Sequence, residues 1–385
     1  MILGLDASNL VGGGGGLTHL TRFLAAAEPL EHGFTRVIVW ARGETLDRLP
    51  ERAWLERVSE PALEAGRLRR LLWQRRRLPR LAASSCDVLF APGGSAARHR
   101  IPVVVMCRNM LPFEPNERRR YGLSWMSLRL ALLRRAQGSS FRRADGLIFL
   151  TRYAQEIVAR QVPLATRWTV IPHGVDEAFR CKPRPQRSSQ DWTEREPLRL
   201  LYVSIVDVYK HQWQVADAVA TLRAEGLPVA IDFVGPAYAP ALARLRGALD
   251  RLDPGGRFLR YVGPVGYSDL PQLEHAAELF VFASSCENMP NVLLEAMAAG
   301  LPIACAANGP MPEILGDAGA YFDPERPTEI ATAIRRLALD PTLRGECAAR
   351  AYERAESYTW SRCARETLAF IASIPTSSTR RDRRP

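Results

Sequence analysis

Short apolar runs alternate with longer segments of helical periodicity through the first half of the chain. Uninterrupted apolar strands separated by helices are typical of a parallel sheet that is covered on both faces. A glycine run at 12–16 follows the first strand, and a helix is predicted to begin near Leu17. The strands predicted in this half are 2–6, 37–40, 88–90, 101–106, 146–150 and 168–171.

The alternation restarts after a polar, proline-rich segment at 179–197, whose composition is typical of a linker. Two such arrays predict an α/β chain with two doubly wound domains. Ligands of these sheets bind beyond the carboxyl ends of the strands, so a cleft between the domains is the expected site. The strands predicted in this half are 198–203, 229–234, 258–262, 279–283 and 302–305, and the last helices are 327–339, 341–355 and 358–372.

Length and composition limit the class of protein. A chain of 385 residues is long enough for two domains that each bury a core. The seven cysteines are scattered without Cys-x-x-Cys spacing, which argues against a disulfide scaffold and a zinc site. No apolar run is long enough to span a bilayer, and Asp6 lies where a signal peptide requires basic residues. We therefore expect a cytoplasmic protein.

The net charge of +11 comes almost wholly from arginine, because Lys182 and Lys210 are the only lysines. Arginines beside leucines and Trp73 suit an anionic membrane interface, although a solvated helix face explains the same pattern. We expect peripheral attachment to the inner face of a membrane. The two clusters are Arg67, Arg69, Arg70, Arg75, Arg76, Arg77 and Arg80, and Arg118, Arg119, Arg120, Arg129, Arg134, Arg135, Arg142 and Arg143.

Two glutamates follow the predicted strand 279–283. Glu287 lies in a loop, and Glu295 lies on a helix that begins near Asn291. A helix N-terminus presents unpaired N–H groups and the positive end of the helix dipole, which together favour a diphosphate. Carboxylates in the loop and further along the helix can bind hydroxyls on two parts of one extended ligand. Glutamates at this spacing are common, so the surrounding residues must show whether these two belong to a ligand-binding site.

The surrounding residues resemble the retaining glycosyltransferases of the GT-B fold, specifically family 4, which includes bacterial O-antigen and mannosyl transferases. The family signature is Glu-x7-Glu followed by Ala-Met-Ala-x-Gly-x-Pro. Further segments resemble the family at 171–176, 202–210 and 318–324, so that the resemblance covers most of 145–340. The signature is matched at Glu287, Glu295, Ala296, Met297, Ala298, Gly300 and Pro302.

The resemblance implies the GT-B architecture, in which two Rossmann-like domains face a central cleft. The predicted parts are an N-terminal domain 1–178 on the acceptor and membrane side, the linker 179–197, a donor-binding C-terminal domain 198–358, a closing helix 359–374 and a disordered basic tail 375–385.

The resemblance also implies a role for each matched position. Glu287 would contact the donor sugar's hydroxyls, and Glu295 would bind the nucleotide ribose. Lys210 would pair with the diphosphate, although a surface lysine is the simpler alternative for one residue taken alone. The backbone N–H groups of Asn291 and Val292 would add donors in a water-poor site.

The glycine run is the counterpart of this site in the first domain. Glycines after a strand let the backbone approach a phosphate closely, so Gly15 and Gly16 are candidates for donor binding. A flexible loop is the alternative. A dinucleotide fingerprint is excluded, because Leu17 occupies the third glycine position and no acid follows the second strand near Arg42.

Two departures from the family pattern affect the predicted site. Ser204 and Ile205 stand where the family has Gly-Arg, so the second basic group is missing or supplied elsewhere. Arg108 and Asn109 lie near the position of a family histidine, and either could meet the donor or the acceptor. His19 is expected to face the cleft from the first helix, whereas His173, in the segment 171–176, is expected to be structural.

The resemblance, together with these residues, implies a hexosyltransferase that retains the configuration at the anomeric carbon. It would move a hexose or deoxyhexose from a nucleoside diphosphate sugar, with GDP-mannose or GDP-rhamnose tried first, to a glycan or polyprenyl-linked acceptor. Cell-surface polysaccharide synthesis, such as that of the lipopolysaccharide O-antigen, is the expected pathway. The family mechanism uses attack on the same face of the sugar, with a donor phosphate oxygen taking the acceptor proton.

No metal and no cofactor are expected, because the sequence has no Asp-x-Asp signature. The alternatives are a non-hydrolysing sugar-nucleotide epimerase of the same fold, for which no flanking acid and base stand out, and a catalytically silent sugar-nucleotide-binding partner subunit. Nucleic-acid binding is not expected, because no recognition motif accompanies the arginines. The sequence leaves the donor base, the sugar and the acceptor open.

Overall fold

The computed structural model describes residues 1–10, 15–164 and 167–375. The chain divides into two compact units. Unit one comprises Met1–Arg118, Leu123–Gly174 and the chain from Thr359, and unit two comprises Arg119–Gly122 and Val175–Tyr358. Residues 12–14 of the glycine run, and the predicted disordered tail from 376 onward, lie outside the described residues.

Unit one is built on a parallel sheet with strand order β3-β2-β1-β4-β5-β6-β7. Its strands are β1 (Ile2–Asp6), β2 (Arg36–Trp40), β3 (Leu55–Val58), β4 (Val88–Ala91), β5 (Val103–Met106), β6 (Gly146–Phe149) and β7 (Arg167–Val170). The strands β4, β5 and β6 are buried along their whole length, as is β1 apart from Ile2, because helices cover both faces of the sheet.

The helices of unit one follow the strands in alternation. They are α1 (Gly15–Ala26), α2 (Gly43–Leu46), α3 (Pro61–Glu64), α4 (Arg67–Arg76), α5 (Leu78–Ser85), α6 (Pro115–Arg119), α7 (Trp125–Arg143) and α8 (Arg152–Ala159). The last helix of the chain, α16 (Trp360–Ala372), also belongs to this unit, where it packs against α1.

Unit two repeats the plan with strand order β10-β9-β8-β11-β12-β13. Its strands are β8 (Leu198–Val203), β9 (Val229–Val234), β10 (Leu259–Gly263), β11 (Leu279–Phe282), β12 (Ile303–Ala306) and β13 (Gly319–Phe322). Its helices are α9 (Gln212–Ala224), α10 (Ala239–Leu252), α11 (Leu270–Ala276), α12 (Asn291–Ala298), α13 (Met311–Leu315), α14 (Pro327–Leu339) and α15 (Pro341–Glu356).

The segment predicted as a linker, 179–197, is packed within unit two. The Cys181 amide donates to the Ala298 carbonyl at 2.9 Å, and Arg184 donates to the His275 carbonyl at 2.8 Å. Gly300 makes this approach possible, since its φ is +64° and a Cβ there would lie 2.6 Å from the Cys181 carbonyl oxygen. The glycine of the family signature thus has a packing role.

Two edge strands, β3 and β13, are absent from the strands predicted by the apolar pattern. In β3 the charged residues Glu56 and Arg57 interrupt the apolar run. An edge strand pairs on one side only and needs less apolar surface than a central strand, so its pattern is weaker. Within the described ranges, no helix is both long and apolar enough to cross a bilayer.

Candidate active site

The strand order of unit two reverses between β8 and β11. In doubly wound sheets this reversal opens a crevice at the carboxyl ends of the strands, and ligands bind there. The loop 204–211 follows β8 and carries Lys210, while the loop 283–290 follows β11 and carries Glu287. The topology therefore brings together the two residues predicted to be catalytic.

The hydroxyl of Tyr202, at the end of β8, joins these two loops. It donates to the Lys210 carbonyl at 2.6 Å and accepts from the Ala283 amide at 3.2 Å. The Ser285 amide adds a bond to the Tyr209 carbonyl at 2.9 Å. Burial raises the pKa of Tyr202 well above its usual value, so the hydroxyl stays protonated and keeps both bonds.

Lys210 and Glu287 form an ion pair at this point. The Lys210 ammonium donates to Glu287 Oε1, and the two side chains are 7% and 14% exposed. The ammonium also lies 5.1 Å from the ring centroid of Phe282 and 5.2 Å from that of Tyr209. Lys210 is therefore held in a nearly water-free setting by one carboxylate and two rings, which excludes the reading of a surface lysine.

The N-terminus of α12 lies directly after the Glu287 loop. The amides of Asn291 and Val292 make no hydrogen bond within the described part of the chain, and both residues are half-buried. These are the unpaired donors expected at the first turn of a helix. The first turn of α12 thus offers two N–H groups and the positive end of the helix dipole.

Glu295 lies further along α12 and is buried. Its Oε1 accepts a hydrogen bond from the Tyr267 hydroxyl at 3.0 Å. Burial raises the pKa of Glu295 to about 7, with a smaller contribution from the charge of Asp176. Near neutral pH the carboxyl can therefore change its charge when a ligand arrives.

A second carboxyl, that of Glu274 on α11, is fully buried near Glu295. Neither of its oxygens has a hydrogen-bond partner among the described residues. Burial, followed by the negative charge of Glu295, raises the pKa of Glu274 well above its usual value. A carboxyl buried without a hydrogen-bond partner favours its neutral, protonated form.

The residues at the position of the family Gly-Arg build the base of the 204–211 loop. The side-chain amide nitrogen of Gln212 donates to Ser204 Oγ at 2.9 Å and to the Ile205 carbonyl at 3.0 Å. Ile205 itself is exposed. Nearby, Asp207 accepts from the Tyr121 hydroxyl at 3.0 Å and from the Val208 amide at 2.7 Å. The loop 204–211 has no arginine, and Lys210 is its one lysine, so no second basic side chain of this loop replaces the family arginine.

In unit one, the strand order reverses between β1 and β4, and the described part of the glycine run lies at that point. Gly15 and Gly16 form the first turn of α1. Arg108 donates to the Gly15 carbonyl at 2.8 Å, and burial lowers its pKa to about 10. Asn109 is exposed, and its side-chain oxygen accepts from the Leu111 amide at 3.1 Å. Arg108 is thus positioned by the glycine turn.

The prediction that His19 faces a cleft is wrong. His19 is 1% exposed, and its Nδ1 lies 2.8 Å from His173 Nδ1. The ring centroid of Trp360 lies 5.4 Å from that of His19 and 5.9 Å from that of His173. His19 is enclosed because α1 is covered by α16 as well as by the sheet.

The two histidines are both neutral. Burial, followed by the charge of Arg108, lowers the pKa of His19 and of His173 well below the usual value. One Nδ1 therefore donates and the other accepts. The structural role predicted for His173 is consistent with this pair. Among the described residues, no group of three or more His, Cys, Asp or Glu side chains is arranged to hold a metal ion.

Sequence reasoning did not identify Tyr202, Tyr267, Glu274 or the Tyr121–Asp207 contact as parts of the site. Tyr202 lies in a motif segment and could have been noted there. Glu274 and Tyr267 carry no local signal, because an acid or a tyrosine on a half-exposed element is common. Tyr121 belongs to unit two through the short segment Arg119–Gly122, which is remote in sequence from the rest of that unit, so only the fold reveals its contact.

Two family models match the chain. The model for Glycosyltransferase Family 4 matches residues 13–179, and the model for Glycosyl transferases group 1 matches residues 197–340. The first match lies in the part of the chain that includes the glycine turn. The second covers the loops that carry Lys210 and Glu287, together with α12.

Relatives and solved structures agree with these models. The chain is 35% identical over 111 residues to the O-antigen chain mannosyltransferase B of Escherichia coli, which is 29% of either chain. It is 28% identical over 244 residues to the GDP-mannose-dependent alpha-(1-6)-phosphatidylinositol dimannoside mannosyltransferase of Mycobacterium tuberculosis, which is 61% of this chain and 59% of that relative. The chain thus matches less than two thirds of the length of these curated relatives.

The structure of HepE from Anabaena in complex with UDP and glucose is similar over nearly the whole chain. The TM-score is 0.70 at 20% identity, covering 97% of this chain and 99% of the other. At this identity the likeness shows the fold alone. It confirms the predicted architecture of two Rossmann-like domains.

Proposed function

Since this chain belongs to the family 4-like glycosyltransferases of the GT-B fold, we propose that it transfers a hexose or deoxyhexose from a nucleoside diphosphate sugar to a glycan or polyprenyl-linked acceptor. The observation that carries the proposal is the Lys210–Glu287 ion pair beside the free amides of α12, at the strand-order reversal of unit two. One ammonium, two amides and two carboxylates suit a diphosphate flanked by two sugar rings.

The donor would lie along α12. Its diphosphate would accept hydrogen bonds from the Asn291 and Val292 amides and would replace Glu287 as the partner of Lys210. Glu287 would then be free to accept hydrogen bonds from the sugar hydroxyls. Glu295 would bind the ribose hydroxyls, because it lies about one turn further along the helix from the amides.

The transfer would retain the configuration at the anomeric carbon. The bond between that carbon and the diphosphate oxygen breaks, and its electron pair leaves with the nucleoside diphosphate. The acceptor oxygen forms the new bond on the same face of the sugar, and its proton passes to an oxygen of the departing phosphate. The step needs no protein nucleophile.

The negative charge that develops on the leaving diphosphate must be stabilised by positive charge nearby. Lys210 and the α12 amides would supply it in a site that excludes water, where fixed donors are most effective. The low exposure of the Lys210 side chain supports this role. We propose on this basis that neither a metal ion nor an organic cofactor takes part.

GDP-mannose is the first donor to test, with GDP-rhamnose second. The name of the mycobacterial relative records dependence on GDP-mannose, and the Escherichia coli relative is an O-antigen mannosyltransferase. UDP-glucose belongs in the same panel, because HepE was solved with UDP and glucose. The Escherichia coli relative also favours a pathway of cell-surface polysaccharide synthesis, such as that of the lipopolysaccharide O-antigen.

We further propose a cytoplasmic protein attached peripherally to the inner face of the membrane. On α4, Leu68, Leu71 and Leu72 are exposed among the arginines of the first cluster, which supports contact with an anionic surface. Trp73 takes no part in such contact. It is 4% exposed, and its indole N–H donates to Glu60.

A donor screen tests the proposal. We expect one nucleoside diphosphate to raise the melting temperature of the wild type, and a radiolabelled sugar of the same nucleotide to pass to a lipid extract. The variant Glu295→Gln is the control, since it preserves side-chain volume while removing the charge. Conversion of the donor sugar without transfer would identify an epimerase. Tight donor binding without turnover in any extract would identify a silent partner subunit.

A further inference from the structure

A cavity of about 550 Å³ opens beside α7 in unit one. The residues that define it chemically are four arginines and two leucines: Arg118, Arg134, Arg135, Arg142, Leu128 and Leu132. No acidic residue lines the cavity. It therefore combines concentrated positive charge with apolar surface in one enclosure.

The four arginines of the cavity are not neutralised by the protein. Within the described ranges, none of their guanidinium groups takes part in an ion pair or a side-chain hydrogen bond. Other arginines of the two clusters behave differently, since Arg77 pairs with Glu60 at 3.6 Å and Arg143 donates to Ser139. Four unpaired cations around one space repel each other, and an anion in that space would remove the repulsion.

An exposed apolar stripe on α7 leads into the cavity. Trp125, Leu128 and Leu132 are 73%, 51% and 53% exposed, and their spacing places them on one face of the helix. The same face continues to Arg135 and Arg142. An apolar stripe that ends in arginines is typical of a helix lying in a membrane interface.

We propose that this cavity is a head-group site for an anionic phospholipid. The arginines would bind the lipid phosphate, while Trp125, Leu128 and Leu132 enter the acyl region. The exposed leucines favour a lipid over a free phosphate or a nucleic acid as the bound anion, because only the lipid has hydrocarbon chains that can contact them. This site rests on the proposed membrane attachment, and it adds a defined position at which one lipid molecule binds per protein chain.

The first arginine cluster provides a matched control. Arg75 and Arg76 are exposed on α4, as Arg135 and Arg142 are on α7, but they do not line this cavity. The double variant Arg75→Glu/Arg76→Glu (the α4 variant) and the double variant Arg135→Glu/Arg142→Glu (the cavity variant) change the net charge equally. A difference in lipid affinity between them therefore reports on the cavity and not on the net charge of the protein.

The experiment titrates monomeric short-chain lipids into the full-length protein by calorimetry. We expect dihexanoyl phosphatidylglycerol to bind the wild type and the α4 variant with a stoichiometry of one, and dihexanoyl phosphatidylcholine to bind neither. The variant Arg135→Glu/Arg142→Glu should bind at least tenfold more weakly. The uncharged change Leu128→Ser/Leu132→Ser should weaken lipid binding without changing the weaker binding of glycerol 3-phosphate.

Sedimentation with vesicles gives a second readout. With phosphatidylglycerol vesicles at about 0.5 M salt, where charges are screened beyond a few ångströms, the α4 variant should bind as the wild type does. The cavity variant should be released at lower salt. The melting-temperature shift with the nucleoside diphosphate, which reports on unit two, should be the same in all variants.

Each contrary result has a definite meaning. Equal losses in the α4 and cavity variants would overturn the head-group site while leaving membrane attachment intact. A wild type that binds neither vesicles nor the short-chain lipid would overturn the proposed attachment itself. Binding of glycerol 3-phosphate as tight as that of the lipid would identify a phosphate site, and preferential binding of a single-stranded RNA would identify a nucleic-acid site.

Discussion

Lys210 and Glu287 neutralise each other in the ligand-free chain, although each follows a different strand of unit two. Under the proposed function, a diphosphate that binds at α12 would exchange with the Glu287 carboxylate for the lysine. Donor binding and the release of Glu287 would then be one event, and the carboxylate would become available to the donor sugar only when the phosphate is in place.

Removal of the Lys210 ammonium should reduce turnover severely. With Ile205 at the position of the family arginine, Lys210 is the cation that the loop presents to the leaving group. Lys210→Ala should lower kcat by about two to three orders of magnitude, or roughly 2.7–4 kcal/mol of transition-state stabilisation. Lys210→Arg should recover only part, because a planar guanidinium does not replace a compact ammonium. Steady-state kinetics measure both.

Arg108 of unit one supplies the rival explanation. If Arg108 shares the leaving-group charge, Arg108→Ala should lose about as much kcat as Lys210→Ala, and the double variant will show strong coupling. A Lys210→Ala enzyme within a few-fold of the wild type would refute the single-cation account.

The two glutamates of the signature should affect different kinetic constants. Glu295→Ala should raise the donor KM or abolish donor binding, since a hydrogen bond to a charged group contributes about 1.5–3 kcal/mol. Glu287→Ala should lower kcat more than it lowers nucleotide affinity. Donor kinetics and nucleotide binding by calorimetry separate these effects. Wild-type kinetics in both variants would show that the donor does not bind along α12.

Loss of the Glu287 carboxylate should also destabilise the ligand-free protein. Because the pair is nearly buried, Glu287→Gln leaves the Lys210 ammonium without a counter-charge and should lower the free energy of unfolding by about 3 kcal/mol. The double variant Lys210→Met/Glu287→Gln removes both charges and should be closer to the wild type. Urea unfolding measures all three proteins. A single variant as stable as the double would mean that the lysine finds another partner.

Nucleoside diphosphate binding should strengthen as the pH rises through the pKa of Glu295, about 7. Below that pH the folded protein holds a proton on Glu295 that must leave before the carboxylate can accept from the ribose, so the apparent Kd should rise by up to about tenfold per pH unit. Glu295→Gln should remove this part of the dependence and leave only that of the nucleotide phosphate. Calorimetric titrations between pH 5.5 and 8 compare the two.

The same proton determines how folding stability depends on pH. In the unfolded chain the carboxyl releases its proton near its usual pKa of 4.5, whereas in the folded chain it holds the proton up to a pKa of about 7. The stability contribution is therefore full below the unfolded value and is lost as the pH rises through the folded one. Glu274, whose pKa is also raised by burial, changes stability in the same direction.

Sugar transfer should survive chelation. Excess EDTA is expected to leave the initial rate unchanged, because Lys210 and the amides of Asn291 and Val292 supply the positive charge that a divalent ion would otherwise bring. Rates with and without EDTA, after dialysis against the chelator, make the comparison. A rate abolished by EDTA and restored by magnesium or manganese would replace this account with a metal-assisted one.

The elements that the sequence predicts well are the buried ones. The predicted strands 198–203 and 229–234 coincide with β8 and β9, because apolar residues dominate these central strands of a parallel sheet although each contains one charged residue, Arg199 or Asp232. The candidate roles of Lys210 and Glu287 follow from the segments that resemble the family. The edge strands β3 and β13 were not predicted, since their residues face solvent on part of their surface, whereas the edge strands β7 and β10 were.

The contacts that sequence reasoning missed join residues that are far apart in the chain. His19 meets His173 and Trp360, and no local pattern marks the three as neighbours. Glu274 is surrounded by ordinary helix formers, and its burial depends on how α11 packs in the finished unit. Such contacts are properties of tertiary packing, which the periodicity of one sequence does not specify.

Because the chain has only two lysines, chemical modification of Lys210 can be used to probe the candidate site. Lys182 is exposed, whereas Lys210 is shielded by Glu287 and by the rings of Phe282 and Tyr209. An acylating reagent for primary amines thus meets one open lysine and one covered lysine, apart from the terminal amine of Met1. The extent of acylation at Lys210 reports whether the carboxylate still covers it. Mass spectrometry measures it by comparing the tryptic peptide 200–223, which stays uncut at an acylated Lys210, with the peptide 200–210, which is released when Lys210 is unmodified.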